Sequence, residues 1–267
     1  MSHSLNKTIW LLWLQGWENA FWLNKQVAES WEIQNPTWKI EYVTLHNLSN
    51  YVNDIDYIYD KDKDISHQAK SDIIRISLLK NHGGVWADST MLCLQSLDHW
   101  IKEAVSPSGI WMYRGPGGGF DKNSGPASWF IVSVKEGYII TKWKEACDVL
   151  WNANKNTNEY YWMDHIFREL FENDHRFREL WFNTPAICCE DDGQSHCLAP
   201  YNHGFEHNNQ RIKDLLLHQP PYALKLWTNN WINAFPDIES EACRSSNGYF
   251  AIQMSKRIRY VYKHEWK

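Results

Sequence analysis

Three charged residues in the segment SDIIRISLLKNHGGVWADSTM, residues 71–91, have types and spacing suited to ligand binding. Asp72 and Arg75 are three residues apart, which places both side chains on one side of a helix. Asp88 follows a short apolar strand. Because ligands of open α/β sheets bind at the carboxyl ends of strands, this carboxylate is placed to meet ligand hydroxyls or a metal ion. The alternative is a surface ion pair that contributes little, together with an ordinary strand-end carboxylate.

The elements around these residues are predicted from apolar spacing. Residues 66–81 carry isoleucine and leucine at helical intervals, and Gly83-Gly84 stands where a helix commonly ends. Residues 85–87 form a short strand, and the two glycines before it allow other backbone to approach closely. The segment therefore predicts a helix, a glycine stop and a strand that ends at Asp88.

The N-terminal part of the chain predicts a β-α-β unit. Residues 8–14 form a continuous apolar run typical of a buried strand, and residues 38–45 alternate as a second strand. Asn19 is the predicted N-cap of the helix between them, which extends to about Ile33. Further strands are predicted at 109–113 and 128–133, followed by mostly helical sequence over 137–180. Alternating strands and helices favour an α/β layer fold in one domain, as the length of 267 residues also does.

Composition excludes several classes of function. The net charge is −5 and the basic residues are scattered apart from a modest cluster at 256–259, so a nucleic-acid partner is not expected. No apolar run approaches the roughly 18 to 20 residues that span a bilayer, and we expect a cytosolic protein, with work at a membrane surface on a lipid-linked acceptor as the open alternative. Hydrolase elbows and phosphate-binding glycine loops do not occur in a suitable context. The 17 Trp, 13 Tyr and 10 Phe favour carbohydrate or nucleotide stacking, or core packing.

The pattern S-D-x-x-R, then Gly-Gly and V-W-A-D-S-T, resembles the sugar-binding and DXD region of family 32 glycosyltransferases, in particular their capsular polysaccharide synthesis proteins. TIWLLWLQGWENA is similar to the first strand and helix of that group. ASWFIVS resembles its SWF strand, and YYWMDHIFRELFENDHRFRELW resembles its C-terminal helical part. The resemblance covers most of the chain.

The resemblance implies a GT-A-type, Rossmann-like nucleotide-sugar-binding fold in a single domain with a helical C-terminal part. Residues 1–133 would form the nucleotide-sugar-binding core, and residues 134–267 the acceptor side. The implied activity is that of a retaining hexosyltransferase, which moves a sugar from a nucleotide-sugar such as a UDP-sugar to a glycan, polysaccharide or lipid-linked saccharide. The alternative is a non-catalytic carbohydrate-binding protein on the same scaffold.

The resemblance also implies roles for individual residues. Asp72 would accept hydrogen bonds from sugar hydroxyls, Arg75 would reach the sugar or the diphosphate, and Asp88 would hold the ribose or a divalent cation, Mn²⁺ or Mg²⁺. The remaining donor-site candidates are Trp10, Trp13, Gln15, Ser71, Gly84 and Thr90. Core packing is favoured for Trp10, whereas either Trp13 or Trp17 would stack on the nucleobase and Gln15, or the backbone beside it, would contact the base edge.

Two departures from the pattern concern the metal. The DXD position reads Asp88-Ser89-Thr90, so a hydroxyl, a weaker metal ligand, replaces the second carboxylate. A histidine that precedes a late Lys-Leu pair in relatives is Leu224 here, with His218 or His203 as substitutes.

Two more segments offer polar side chains. CCEDDGQSHC, residues 188–197, suggests either a zinc site or a loop in which Asp191, Asp192 and His196 meet sugar or acceptor. Asp164 and His165 form either the polar edge of a helix or an acceptor site that orients a hydroxyl or takes its proton.

Overall fold

Two sheets of unequal size organise the protein. Its strands, numbered along the chain, are β1 (Thr8–Leu12), β2 (Lys39–Val43), β3 (Gly84–Ala87), β4 (Met91–Cys93), β5 (Ile110–Gly115), β6 (Gly125–Ser133) and β7 (Ala223–Lys225). The computed structural model describes residues 4–115, 125–157, 159–187, 205–226 and 233–257. The large sheet has the order β2-β1-β3-β6-β5, and β4 pairs with β7 in the small one.

The large sheet combines parallel and antiparallel pairs. β1 lies between β2 and β3 and is parallel to both. β6 is antiparallel to β3 and to β5. The carboxyl ends of β1 and β3 therefore lie at the same edge of the sheet, where the predicted ligand residues begin.

Helices cover both faces of this sheet. These helices are α1 (Trp22–Gln34), α2 (His67–His82), the short α3 (Ile101–Val105), α4 (Tyr138–Ala153), α5 (Trp162–Asn173), α6 (His175–Asn183) and α7 (Gln210–His218). Two short helices, Glu241–Ser245 and Asn247–Ser255, follow near the C-terminus. Single 3₁₀ turns lie at Trp17–Asn19, Leu48–Asn50, Asp56–Tyr59 and Leu97–His99.

The strands separate two apolar cores because successive side chains point to opposite faces. On β1, Ile9 and Leu11 belong to the core shared with α1, β4 and β7, whereas Trp10 and Leu12 belong to the core shared with α2, α4, α5 and α6. The continuous apolar run at 8–12 is thus explained by burial on both faces. The result is a three-layer α/β arrangement, consistent with the predicted GT-A-type class.

Local signals fix the limits of α2. The Ser66 side chain accepts a hydrogen bond from the backbone N–H of Ala69, which caps the first turn. Gly83 ends the helix with a φ of 69°, and Gly84 follows with a φ of 99°. A Cβ at Gly83 would meet the backbone of Lys135, and one at Gly84 would meet the carbonyl of Thr8. The two glycines therefore let α2 turn tightly into β3 beside β1.

The prediction for the start of α1 was wrong. Asn19 closes a 3₁₀ turn and its side-chain amide donates to the carbonyl of Gln15, while α1 begins at Trp22 after Phe21. The amide group prefers this local bond to capping a helix. The last third of the chain, interpreted from the sequence as irregular, contains α7, β7 and the two terminal helices within its described residues.

No helix in the described ranges is long and apolar enough to cross a membrane.

Three of the six cysteines, Cys93, Cys147 and Cys243, are buried free thiols.

Candidate active site

A four-residue turn, Asp88–Met91, connects β3 to β4 and carries Asp88 of the candidate site. Its own bond runs from the Met91 N–H to the Asp88 carbonyl at 2.8 Å. Three further elements hold it in place, since β6, α1 and the residue after β7 each contribute one hydrogen bond. These bonds join Asp88 N to Trp129 O at 2.9 Å, Asn24 Nδ2 to Ser89 O at 2.8 Å, and Leu226 N to Thr90 O at 2.8 Å. The turn is therefore rigid before any ligand arrives.

Both carboxylate oxygens of Asp88 accept bonds from cationic or indole donors. Oδ1 lies 3.0 Å from Arg75 Nη2 and 2.9 Å from Trp86 Nε1, and Oδ2 lies 2.7 Å from Lys225 Nζ. Burial acts to raise the pKa of Asp88, but Lys225 and Arg75 outweigh it and hold the pKa below its usual range. Asp88 is thus ionised at neutral pH.

Arg75 is held at three points in the interior. Its Nη1 lies 3.1 Å from Asp72 Oδ1, its Nη2 bonds Asp88, and its guanidinium carbon lies 5.1 Å from the centroid of the Trp86 ring. Only 6% of its side chain is exposed. The geometry thus differs from the alternative of an exposed i, i+3 surface pair, because burying a guanidinium is costly unless partners compensate it.

Asp72 and Asp164 form an acidic pair beside Arg75. Burial raises the pKa of Asp72 to about 6, and Asp88 and Asp164 add to the rise while Arg75 opposes it. Burial likewise raises the pKa of Asp164 to about 6, with Arg75 acting in the opposite direction. α2 and α5 therefore supply two carboxylates that influence each other, are largely ionised at neutral pH and become protonated as the pH falls through about 6.

His165 lies apart from this group. Its Nδ1 lies 2.5 Å from Glu159 Oε2, and half of its side chain is exposed. Adjacent helix positions point in directions about 100° apart, and His165 bonds Glu159 whereas the charge of Arg75 acts on Asp164. Of the two acceptor-side residues predicted on α5, the structure brings Asp164 to the site.

The segment after β1 reaches the same edge of the sheet as Asp88. Trp13 is half-buried and its ring lies 6.3 Å from that of Trp17, and Gln15 is exposed. Trp10 pairs in register with Trp86, is 3% exposed and donates from Nε1 to the Gly83 carbonyl at 2.9 Å. The geometry therefore agrees with core packing for Trp10, and leaves Trp13, Trp17 and Gln15 as the candidates for base contacts.

The other predicted donor residues occupy different places. Ser71 is half-buried on α2 one residue before Asp72, and Thr90 is half-buried in the turn. Gly84 begins β3, at the opposite end of the strand from Asp88, where it packs against β1. Its close approach is to the protein's own backbone.

Three residues at the site were missed from the sequence. Lys225 is separated from Asp88 by 137 positions, so no local pattern connects them. Trp86 is two residues before Asp88, and the period of a strand could have placed both on one side. Tyr160 is 73% exposed as a whole residue. Partial desolvation of its hydroxyl, followed by the charge of Asp72, raises the pKa of that hydroxyl. This tyrosine thus stands at the rim of the site.

The described residues offer few ligands for the expected divalent cation. They contain no group of three or more His, Cys, Asp or Glu side chains arranged to hold a metal. Asp88, the one carboxylate of the predicted DXD position, already bonds two cationic side chains, and residue 90 is a threonine. This donor set does not fit the oxygen-rich shell that Mg²⁺ or Mn²⁺ prefers, and the cation stays a prediction from the resemblance.

Several predicted residues lie outside the described part of the chain. They are Cys188, Cys189, Asp191, Asp192, His196 and His203, together with most of the glycine-rich segment 115–126. His218 is described and lies exposed at the end of α7.

A comparison with protein-family models agrees with the family resemblance. A family model for capsular polysaccharide synthesis proteins matches residues 1–226. Glycosyltransferase afumC from Aspergillus fumigatus is 27% identical over 171 residues, which cover 57% of this chain and 42% of that protein. The chain thus spans less than half the length of this curated relative. A solved structure, the PaToxG glycosyltransferase, aligns with a TM-score of 0.46 and 13% identity over 97% of this chain and 89% of that one.

Proposed function

The chain belongs to the family of capsular polysaccharide synthesis proteins, and on that premise we propose that it is a retaining hexosyltransferase that uses a nucleotide-sugar. The proposed donor is a UDP-sugar, and the proposed acceptor is a glycan, a polysaccharide or a lipid-linked saccharide. The similarity to a glycosyltransferase supports transfer of a sugar in general. The finer assignment rests on the site.

One observation carries the proposal: Arg75 is buried between Asp72 and Asp88 at the carboxyl end of β3. A donor sugar presents hydroxyls, which carboxylates accept, and a diphosphate, which a guanidinium binds in a fixed direction. Asp72 and Arg75 thus offer both kinds of contact within one helical turn. The fixed orientation of Arg75 means that little reorganisation is needed when charge develops on the diphosphate.

The transfer breaks the bond between the anomeric carbon and a diphosphate oxygen, and forms a bond from that carbon to an acceptor hydroxyl oxygen. The electron pair of the broken bond stays on the diphosphate, so the leaving group gains negative charge that Arg75 faces. In this proposal the acceptor hydroxyl lies beside Asp164, whose carboxylate orients it and takes its proton. A pKa of about 6 suits that carboxylate to proton transfer near neutral pH.

The nucleobase would lie against the segment after β1. Trp13 offers a partly exposed aromatic face on which a base can stack, and Gln15 offers an amide for its edge. Both follow the strand next to β3, so base and diphosphate would lie along one sheet edge.

The test is release of UDP from a panel of UDP-sugars by the protein and by two variants, Arg75→Lys and Asp88→Asn. We expect the rate of each variant to fall roughly a hundredfold. A lysine at position 75 cannot bond both Asp72 and Asp88, and an asparagine at position 88 carries no charge to balance Arg75 and Lys225. The control is Arg114→Lys, which changes another buried arginine, one that bonds the carbonyls of Trp181 and Thr184.

We call Asp72, Arg75 and Asp88 together the clamp. Unchanged rates in both site variants would refute its proposed role. Glycan binding that does not respond to any nucleotide, with no hydrolysis of any donor, would instead support the non-catalytic alternative.

A further inference from the structure

The placement of Lys225 depends on the small sheet. β7 is antiparallel to β4, with Lys225 paired to Met91, and the Leu226 N–H donates to the Thr90 carbonyl at 2.8 Å. The flanking residues Ala223, Leu224 and Leu226 are 1% exposed or less, so the strand is anchored in the apolar core. The Lys225 side chain thus leaves a rigid strand next to the Asp88 turn.

The ammonium group is both buried and directed at the site. Its Nζ lies 2.7 Å from Asp88 Oδ2, and 6% of the side chain is exposed. Burying an ammonium is costly, and burial indeed lowers the pKa of Lys225 while Asp88 opposes that change. Apolar side chains in place of both Lys225 and Asp88 would fill the same space at lower cost, whereas removing the lysine alone leaves the buried carboxylate with one cation fewer. A buried cation at the edge of the sheet where ligands bind is therefore better explained by a role in ligand binding than by core packing.

The charges alternate across the site. From α2 to β7, the bonded residues are Asp72, Arg75, Asp88 and Lys225, so two protein cations flank the carboxylate of the DXD position. In a metal-dependent site that carboxylate would bind the divalent ion directly. Here the ammonium and guanidinium stand at its two oxygens, and a divalent cation bound to the same oxygens would be repelled by both.

We infer that Lys225, together with Arg75, supplies the positive charge that stabilises the nucleoside diphosphate leaving group, in place of a divalent cation. The inference rests on the proposed function, since it concerns the diphosphate of the same donor. As the bond from the anomeric carbon to the diphosphate oxygen breaks, the electron pair moves to that oxygen, and the Lys225 ammonium donates a hydrogen bond to a diphosphate oxygen. The acceptor oxygen completes the new bond and its proton passes to Asp164.

The test is binding of UDP with EDTA present, by calorimetry and by thermal shift, followed by donor turnover with EDTA or with added Mn²⁺. We expect the protein to bind UDP and turn over donor in EDTA. Lys225→Met should weaken UDP binding roughly ten- to a hundredfold, the usual effect of losing a charged hydrogen bond, and should lower turnover further. Lys225→Arg, which keeps the charge, should retain part of both.

The matched control is Lys144→Met. Lys144 is another buried lysine, 3% exposed, whose Nζ lies 2.5 Å from Asp148 and 3.4 Å from Asp54, between α4 and the Asp54 segment. Both Met variants lose a buried ion pair and are expected to melt at lower temperature. Only Lys225→Met should lose UDP affinity, which separates binding from stability.

Three outcomes distinguish the inference from the proposed function. Binding and turnover that need Mn²⁺ in the unaltered protein would overturn the role of Lys225 and leave the transferase proposal standing. UDP affinity in Lys225→Met equal to that of the unaltered protein would do the same. Failure to bind UDP or any other nucleoside diphosphate under every condition would overturn both.

Discussion

At the scale of single residues, Trp86 contacts both Asp88 and Arg75 of the candidate site. Its indole N–H donates to Asp88 Oδ1, and its ring lies under the Arg75 guanidinium. A cation over a tryptophan face is favourable, and the indole bond also helps to keep the pKa of Asp88 low. The residue therefore positions the two charged groups of the clamp relative to each other.

We predict that Trp86→Phe lowers donor turnover about tenfold, because the ring face remains while the bond to Asp88 is lost. Steady-state UDP release measures the change. The control is Trp143→Phe, which removes an indole N–H that donates to the Met163 carbonyl at 3.1 Å in the core. Loss of stability without loss of turnover is expected for that control, and equal turnover loss in both would contradict a specific role for Trp86.

At the scale of elements, α2 and β3 position the clamp through the glycine pair between them. Arg75 reaches Asp88 because the chain reverses between the end of α2 and the start of β3 within two residues. Gly83 makes this reversal with a positive φ, which residues with a Cβ adopt at a cost.

Gly83→Ala should lower the free energy of unfolding by about 1 to 3 kcal/mol, since the new Cβ is strained and meets the Lys135 backbone. Urea denaturation followed by circular dichroism measures this. Gly137→Ala provides the comparison, because Gly137 precedes α4 with a φ of −57° and tolerates a Cβ better. An equal effect of the two substitutions would show that the turn geometry is not the cause.

The same elements show how far sequence reasoning extends. α2, the glycine stop and the strand ending at Asp88 follow from signals within about twenty residues, and each was predicted, whereas the Ser66 cap was found only in the structure. Lys225 was noted only as a landmark beside Leu224, because strand pairing over 137 positions leaves no periodic signature. Likewise the sequence does not reveal that the charge of Arg75 acts on Asp164, since this depends on how α5 lies relative to α2.

At the scale of the whole molecule, the acidic pair opposes folding at neutral pH. A carboxyl whose folded pKa is raised binds its proton more tightly in the folded state, so its contribution to stability is lost as pH rises. For Asp72 this loss occurs between its unfolded value of 3.8 and its folded value of about 6. The native protein thus keeps a charged side chain that its fold disfavours, as functional sites often do.

Asp72→Asn is therefore predicted to stabilise the protein more at pH 8 than at pH 4.5. The change that it causes in the free energy of unfolding should differ by about 1 to 3 kcal/mol between the two pH values. The variant should transfer no sugar. Urea denaturation at the two pH values tests the prediction. Asp98→Asn should behave oppositely. Against the partial burial of Asp98, bonds from Lys7 and Thr37 hold its pKa low, so its stabilising contribution is present at high pH. A pH-independent effect of Asp72→Asn would contradict the assignment.

The turn Asp88–Met91 also has a consequence for biosynthesis. Its supports come from Asn24, Trp129 and the residues around Lys225, so they leave the ribosome at widely separated times. The nascent chain can form β1, α1, β2, α2 and β3 while the turn still lacks its last strand and its ammonium. The proposed site is therefore complete only after β7 has been synthesised, and a chain that ends before β7 would lack both Lys225 and the Leu226 bond to the turn.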